Sequence, residues 1–344
     1  MNAIIGLLKW LNVVPVPLLD IQLPIVRARA IIEANRLGVF KLLAEHDAEG
    51  GLGAAEVADK LGLSSEGTAL LLRALKSSGY LKHRNGKYLN GRWARKWIVH
   101  PDRGLSEMLK LQSVTYERLQ SLGDNVVSGR PSLDFHSKFE KAGTEGQETY
   151  TRGMQQAARM FIPAVLKSAD IPADAKAMID IGGAHGEYAR QFVAHYPDLH
   201  ATVFDLGGPI NTAKKLAEEQ GRTERLSFVA GNAFQDDLGE NWDVILLANF
   251  IHLFSPEQTL VLFEKCLKAL APTGVLLIVD QFSGSEGGIK AQLFDVISLN
   301  FFNVGGRAYT LSEVHDLLAK ARFTTVADRR FPPSVPGGLI QASR

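Results

Sequence analysis

The segment Asp180-Ile181-Gly182-Gly183-Ala184-His185-Gly186 closes a short apolar run, and Glu187 opens a helical pattern directly after it. Glycines at such a turn let a ligand approach the backbone, where the next helix offers free N–H groups and a partial positive charge. Gly182, Gly183 and Gly186 fit G-x-G-x-x-G in no register, which disfavours a nicotinamide enzyme. About 20 residues further on, a second run ends in Phe204-Asp205-Leu206, where an acid can accept both hydroxyls of a ribose. A third run ends in Gly231-Asn232-Ala233-Phe234 and brings an amide and an aromatic ring able to hydrogen-bond and cover an adenine. Taken singly, these features have plain alternatives: a ligand-free turn, a turn aspartate, a core phenylalanine. Their joint spacing points to an adenosine site.

Positioning those loops requires strands and helices in alternation. The β-branched runs Ala177 to Ile181, Ala201 to Phe204, Leu226 to Val229, Trp242 to Leu247 and Val275 to Val279 alternate with amphipathic helices, the pattern of a mostly parallel sheet covered on both faces. Phe323 to Asp328 and Gly338 to Ala342 offer two more strands. Upstream, the spacing predicts helices over Ile25 to Leu43 with a break at Gly38, over Ala54 to Leu61, and over Thr68 to Ser77 behind a cap at Ser64 or Ser65. Asn85-Gly86 then joins Tyr80–His83 to Lys87–Leu89 as a type I′ hairpin, the wing of a winged helix. The fold class expected is α/β: a doubly wound, seven-stranded Rossmann-like domain over residues 171–344, behind an N-terminal winged-helix domain over 1–100 that is all-helical apart from its wing. Residues 101–170 form a helical connector contributing to a substrate pocket.

With 344 residues the chain exceeds one ordinary core, and 46% hydrophobic with 22% charged residues describes a globular protein rather than a disordered or fibrous one. A net charge of +1 argues against a protein devoted to neutralising phosphate backbones. The single cysteine, Cys266, lies in an apolar helical run and can form neither an internal disulfide nor a thiolate cluster; a reducing cytoplasm fits. The apolar stretches Ala3 to Leu8 and Leu11 to Leu19, cut by Lys9, Pro15, Pro17 and Asp20, are too short to span a bilayer and read as an arm that packs on a second subunit.

These residues resemble the S-adenosylmethionine-dependent O-methyltransferase family typified by plant caffeate and bacterial polyketide enzymes. The likeness runs through Ser128-Gly129-Arg130-Pro131, the glycine loop, Phe204-Asp205-Leu206, Asn249-Phe250-Ile251-His252, Ala269-Leu270-Ala271-Pro272-Thr273-Gly274 and Gly305-Gly306-Arg307. It implies S-adenosylmethionine as cofactor, held by Asp180, Gly182, Gly183, Gly186, Asp205, Leu206, Asn232, Ala233, Phe234 and Asn249. It also implies a homodimer joined through the N-terminal domain, and His252 as the base that takes a proton from a substrate hydroxyl. Such a base is needed because a phenol near pKa 10 is mostly protonated at neutral pH, whereas an imidazole near 6.5 can remove its proton in the transition state; no metal is required.

Several positions depart from the family pattern. His252 is followed by Leu253-Phe254, so the usual neighbouring acid is missing, and Ala308 replaces a second one. Asp280, at the end of the fifth strand, is the candidate to orient the imidazole. Asn232 replaces an adenine-binding Asp, leaving an amide oxygen able to accept from the amino group. Tyr150, Met154, Phe294, Ile297, Phe301 and Asn303 match pocket-lining segments and suggest a flat, mostly apolar acceptor of secondary-metabolite type. The rival readings are N- or C-methylation, a non-methylating enzyme on the same scaffold, and a winged-helix DNA-binding regulator. The last draws on Lys82, Arg84, Lys87, Arg92, Arg95 and Lys96 but is opposed by a second helix rich in Leu70, Leu71, Leu72 and Leu75. Neither a nucleic-acid partner nor stable membrane association is expected.

Overall fold

A computed structural model of the chain describes residue 11, residue 13, and residues 15–131, 135–221, 224–283, 289–332 and 335–344. Most of the N-terminal arm lies outside the described residues. The chain divides into two compact units, Met1–Val114 and Thr115–Arg344, with the boundary inside the stretch expected as a connector.

In the first unit, helices Val16–Arg36, Val39–Glu45, Ala54–Leu61 and Ser65–Ser77 precede a hairpin of β1 (Leu81–Arg84) and β2 (Lys87–Asn90). The fourth helix begins one turn earlier than the sequence pattern suggests. Ser64 caps it by accepting the Gly67 N–H at 3.3 Å, which satisfies an otherwise unpaired donor. Asn85 and Gly86 both take positive φ, +50° and +78°, as a type I′ turn demands. Phe40, Leu43, Leu72 and Leu75 are buried at the centre, and the Asn90 side chain donates to the Phe40 carbonyl at 2.8 Å, fastening the hairpin to the helices. Leu18, Ile21, Leu23, Ile25 and Val26 of the first helix stand exposed. Of the basic stretch, Arg95 is engaged by Asp47 at 2.8 Å.

The second unit holds a seven-stranded sheet built from β3 (Ala177–Ile181), β4 (His200–Asp205), β5 (Leu226–Ala230), β6 (Trp242–Ala248), β7 (Leu270–Asp280), β8 (Thr325–Arg330) and β9 (Gly338–Ser343). Its order is β5-β4-β3-β6-β7-β9-β8, with β3 to β7 parallel and β9 antiparallel to both neighbours. Strand β7 starts at Leu270, earlier than the apolar run alone suggests, because Leu270 pairs with Trp242 ahead of an irregularity in the β6–β7 register. Two apolar layers cover the sheet. Ile179, Ile181, Ile245, Leu247, Leu276 and Ile278 face one of them, and Met178, Val203, Val244, Leu246 and Leu277 the other, as the two-residue period of a strand requires. Cys266 is fully buried in the first layer. Strand order reverses between β3 and β6, so the loops that follow β3, β4 and β6 diverge around a crevice at the carboxyl ends of the strands, where open α/β sheets bind ligands. Among the described residues, no helix is long and apolar enough to cross a membrane.

Candidate active site

The crevice contains a cavity of about 370 Å³, lined by Gly182, Phe204, Asp205, Leu206, Gly231, Asn232, Ala233, Phe234, Phe250, Phe254 and Gln258, among others. That volume is within the range of small-molecule sites. Gly182, at φ +72°, closes the β3 loop so tightly that a Cβ there would strike the Phe250 ring. A Cβ on Gly231 would come within 2.5 Å of Phe204. Phe234 and Phe250 each meet Phe254 edge-on, with ring centroids 4.8 Å apart, so three aromatic rings form one wall.

Asp205 is held by two backbone donors: its Oδ2 accepts the Ala184 N–H at 2.9 Å and its Oδ1 the Leu206 N–H at 2.7 Å. An ionised carboxylate has roughly four acceptor positions, so about two remain for a ligand. Burial outweighs these hydrogen bonds and pushes its pKa up, to about 6. Asp180 is buried behind the loop, where the Ala189 backbone N–H faces its carboxylate. Burial, with a smaller contribution from the charge of Asp205, pushes it up to about 7.

Asp180, Gly183, Gly186 and Asn249 stand behind the cavity lining rather than on it. Gly186 caps the helix Glu187–His195, while Asn249, at φ +51°, turns the chain out of β6 toward His252 and donates its N–H to the Val279 carbonyl at 2.7 Å. The Asn232 amide oxygen, expected to meet an adenine amino group, accepts the Phe234 N–H at 2.9 Å. It therefore already holds the shape of its own loop, with one acceptor position left.

Directly after Phe250 in the chain, the turn Ile251–Leu253 presents His252 to the end of β7. Its Nδ1 lies 2.9 Å from Asp280 Oδ1 and 3.1 Å from Oδ2, and its backbone N–H approaches Oδ2 at 3.3 Å. The Asp280 carboxylate also accepts the Gln281 N–H at 2.8 Å and is buried. A carboxylate only accepts, so Nδ1 carries the proton and Nε2 presents its lone pair. Phe301 lies flat against the imidazole, with ring centroids 4.2 Å apart and planes 7° from parallel. The Arg307 N–H donates to the His252 carbonyl at 2.7 Å, a close approach that needs glycine at 306, because a Cβ there would run into that carbonyl oxygen.

The expected pocket residues do not all present a free side chain. Phe294 is buried and Ile297 half-buried on the helix Ile289–Phe302, and Met154 is half-buried on the helix Gly143–Ser168. Tyr150, on the same helix as Met154, meets Phe139 edge-on at 5.5 Å, and burial pushes its hydroxyl up to about 12, so it stays protonated across the physiological range. Asn303 is fully buried. Its Oδ1 accepts from Asn125 at 2.7 Å and its Nδ2 donates to the Arg118 carbonyl at 3.0 Å, so this amide ties the segment after the helix to residues 118–125.

Residues 119–324 match the O-methyltransferase domain family, and residues 20–100 match the O-methyltransferase dimerisation domain. The chain belongs to the O-methyltransferase family. Acetylserotonin O-methyltransferase of Bos taurus is 30% identical over 320 residues, covering 88% of this methyltransferase and 90% of the bovine chain. The 3-hydroxy-5-methyl-1-naphthoate 3-O-methyltransferase of Streptomyces sahachiroi is 25% identical over 333 residues, covering 95% and 94%. Among solved structures, human N-acetylserotonin methyltransferase in complex with SAM superposes with a TM-score of 0.85 at 26% identity, covering 95% of this chain and 96% of the human one.

Phe250, Phe254 and Gln258 are among the residues of the methyltransferase site that escaped the sequence reading. Phe250 and Phe254 contribute two rings to the cavity lining, and Gln258 lines the cavity while its Oε1 accepts the Ser255 N–H at 3.0 Å. The aromatic spacing Phe250-x-x-x-Phe254 was visible, but nothing in it says that the first ring lies against Gly182.

Proposed function

We propose that this O-methyltransferase transfers the methyl group of S-adenosylmethionine to a hydroxyl on a flat, mostly apolar small molecule of secondary-metabolite type, with His252 as general base. The observation that carries this reading is the His252–Asp280 pair, two residues beyond Phe250, which lines a nucleoside-sized cavity. When bound, S-adenosylmethionine supplies a methyl group on a sulfonium centre, an electrophile that needs an anionic or incipiently anionic acceptor.

Asp205 would accept the ribose hydroxyls with its remaining lone pairs, and Leu206 and Phe234 would cover the adenine, above a glycine loop backed by the buried Asp180. Glycines at 182 and 231, where a Cβ would meet Phe250 and Phe204, let those rings keep their places in the lining. His252 Nε2 takes the acceptor proton as the hydroxyl oxygen attacks. Asp280 keeps Nδ1 protonated and offsets the positive charge that the imidazole gains, while itself remaining ionised. The likeness to acetylserotonin and hydroxynaphthoate methyltransferases supports an aromatic acceptor.

Incubation with labelled S-adenosylmethionine and a panel containing N-acetylserotonin, hydroxynaphthoates and extract of the producing cells tests the reading. Label on an oxygen is the expected product; label on nitrogen or carbon only would replace O-methylation, and absence of any heat of binding for S-adenosylmethionine and its demethylated product would remove the cofactor assignment. We further infer that the protein works in the cytoplasm as a homodimer through a winged-helix N-terminal domain spanning residues 1–100. The exposed face Leu18, Ile21, Leu23, Ile25 and Val26 and the dimerisation-domain match support the dimer. Light scattering of a chain lacking residues 1–20 checks whether the arm contributes.

A further inference from the structure

The stack of Phe301 on His252 calls for an explanation beyond packing. An imidazole that accepts a proton becomes a cation, and a cation over an aromatic face is attracted by the ring quadrupole. The arrangement, 4.2 Å between centroids and 7° between planes, stacks the imidazole on the Phe301 face. The opposite constraint comes from the edge, where Asp280 holds Nδ1. One ring face and one ring edge are therefore held: tilting the plane loses the stack, and a half-turn about the Cβ–Cγ bond loses the Asp280 contact. The nitrogen left to exchange a proton is Nε2.

We propose that Phe301 is a positioning residue for His252, its ring both fixing the imidazole plane and stabilising the charge that the imidazole takes up. This rests on the reading of His252 as base, and it reassigns Phe301 from lining the acceptor pocket to serving the histidine. The charged and titratable groups around the pair, among the described residues, leave this role to an uncharged ring. Asp280, at the end of β7, faces Nδ1. Tyr188, on the helix Glu187–His195, is close enough to feel the charge of Asp280, and burial keeps its hydroxyl protonated. Arg307, whose backbone holds the His252 carbonyl, directs its guanidinium over the Tyr309 ring at 4.6 Å and pairs it with Glu313. Ala308, next in the chain, brings no charge.

The proton moves from the acceptor O–H to Nε2, the O–H bonding pair staying on oxygen, and the resulting imidazolium lies between a carboxylate at its edge and a π face. The position is selective in kind: leucine or methionine fills the space without a quadrupole, while tyrosine keeps the ring.

The test follows the His252 ring signal by NMR in full-length protein carrying ¹³C-labelled histidine, assigned by its loss in His252→Gln, across a pH titration without acceptor. Phe301→Leu removes the face and should lower the midpoint of the His252 titration by about half a pH unit, the equivalent of about 0.7 kcal/mol; Phe301→Tyr should restore it. Phe301→Met is the second variant should the leucine protein not fold. Binding of the demethylated cofactor by calorimetry serves as the control for an intact adenosine site. A midpoint within about 0.2 pH unit of the parent in a folded leucine or methionine variant overturns the proposal. Because the readout needs no turnover, this result is distinct from failure of the base reading, which would appear as normal turnover in His252→Ala.

Discussion

Replacing Asp280 by asparagine probes the base without deleting it. The parent carboxylate serves three donors, with Oδ1 receiving Gln281 N–H at 2.8 Å and Oδ2 facing His252 N–H at 3.3 Å, while His252 Nδ1 lies within 3.1 Å of both. An amide NH₂ in the Oδ1 position would confront the closer donor, so the asparagine oxygen should stay there and the NH₂ should take the looser Oδ2 position. The Nδ1 proton then keeps an acceptor, and Nε2 keeps its lone pair. What is lost is the charge. The difference between a charge-assisted and a neutral hydrogen bond is about 1–2 kcal/mol, which corresponds to a fall in kcat of about 5- to 30-fold. Asp280→Ala leaves three donors unserved in a buried position and releases the imidazole edge, so its loss should be larger, about 100-fold or more. Stopped assays with the identified acceptor, alongside calorimetry with the demethylated cofactor, separate chemistry from cofactor affinity. Turnover of Asp280→Asn within about twofold of the parent would refute the argument that Asp280 offsets charge on His252, and a loss equal to that of Asp280→Ala would refute the reasoning about amide orientation.

The other expectations concern the base, the glycine loop and the buried acid. His252→Ala should lower turnover by about 10²–10⁴-fold with cofactor affinity nearly unchanged, measured by the same pair of assays, since His252 is not among the residues that line the cavity. Gly182→Ala should cost about 1 kcal/mol for its positive φ and about 1–3 kcal/mol more for the clash with Phe250. In a Phe250→Ala background only the first part should remain, so a double-mutant cycle by urea unfolding should show about 1–3 kcal/mol of coupling, and additivity within about 0.5 kcal/mol would contradict the contact. Because burial raises Asp180 to about 7, the folded chain keeps a proton there that the unfolded chain has already lost; stability must therefore fall as pH rises from about 4 to about 7. Unfolding midpoints at about pH 5 and pH 8 should differ less in Asp180→Asn than in the parent, with Asp205 accounting for part of the remainder, and equal differences would exclude Asp180 as a source of this slope.

The sequence by itself determined the elements and the chemistry of the nucleotide loops. Period-two apolar runs ending in Gly182, Asp205 and Gly231 define strands and the turns after them, because alternation, glycine and turn residues act within a few positions of one another. For the same reason the Asn85-Gly86 hairpin and the helix behind Ser64 were legible, with only the helix start misplaced by three residues. His252 and its candidate partner Asp280 were marked through resemblance, but the stack of Phe301 on the imidazole was not readable. Asp280 stands 28 residues away and Phe301 nearly 50, and neither carries a local signal of its partner. Those meetings depend on β7 lying beside β6 and on the helix Ile289–Phe302 returning over their ends, which follows from packing the whole sheet. The same long-range packing buried Asn303 among residues 118–125, used the Asn232 oxygen to hold its own loop and set Phe250 against Gly182. Side-chain type states what a residue can do; only the tertiary structure decides which of its hydrogen-bonding positions and ring faces remain unspent.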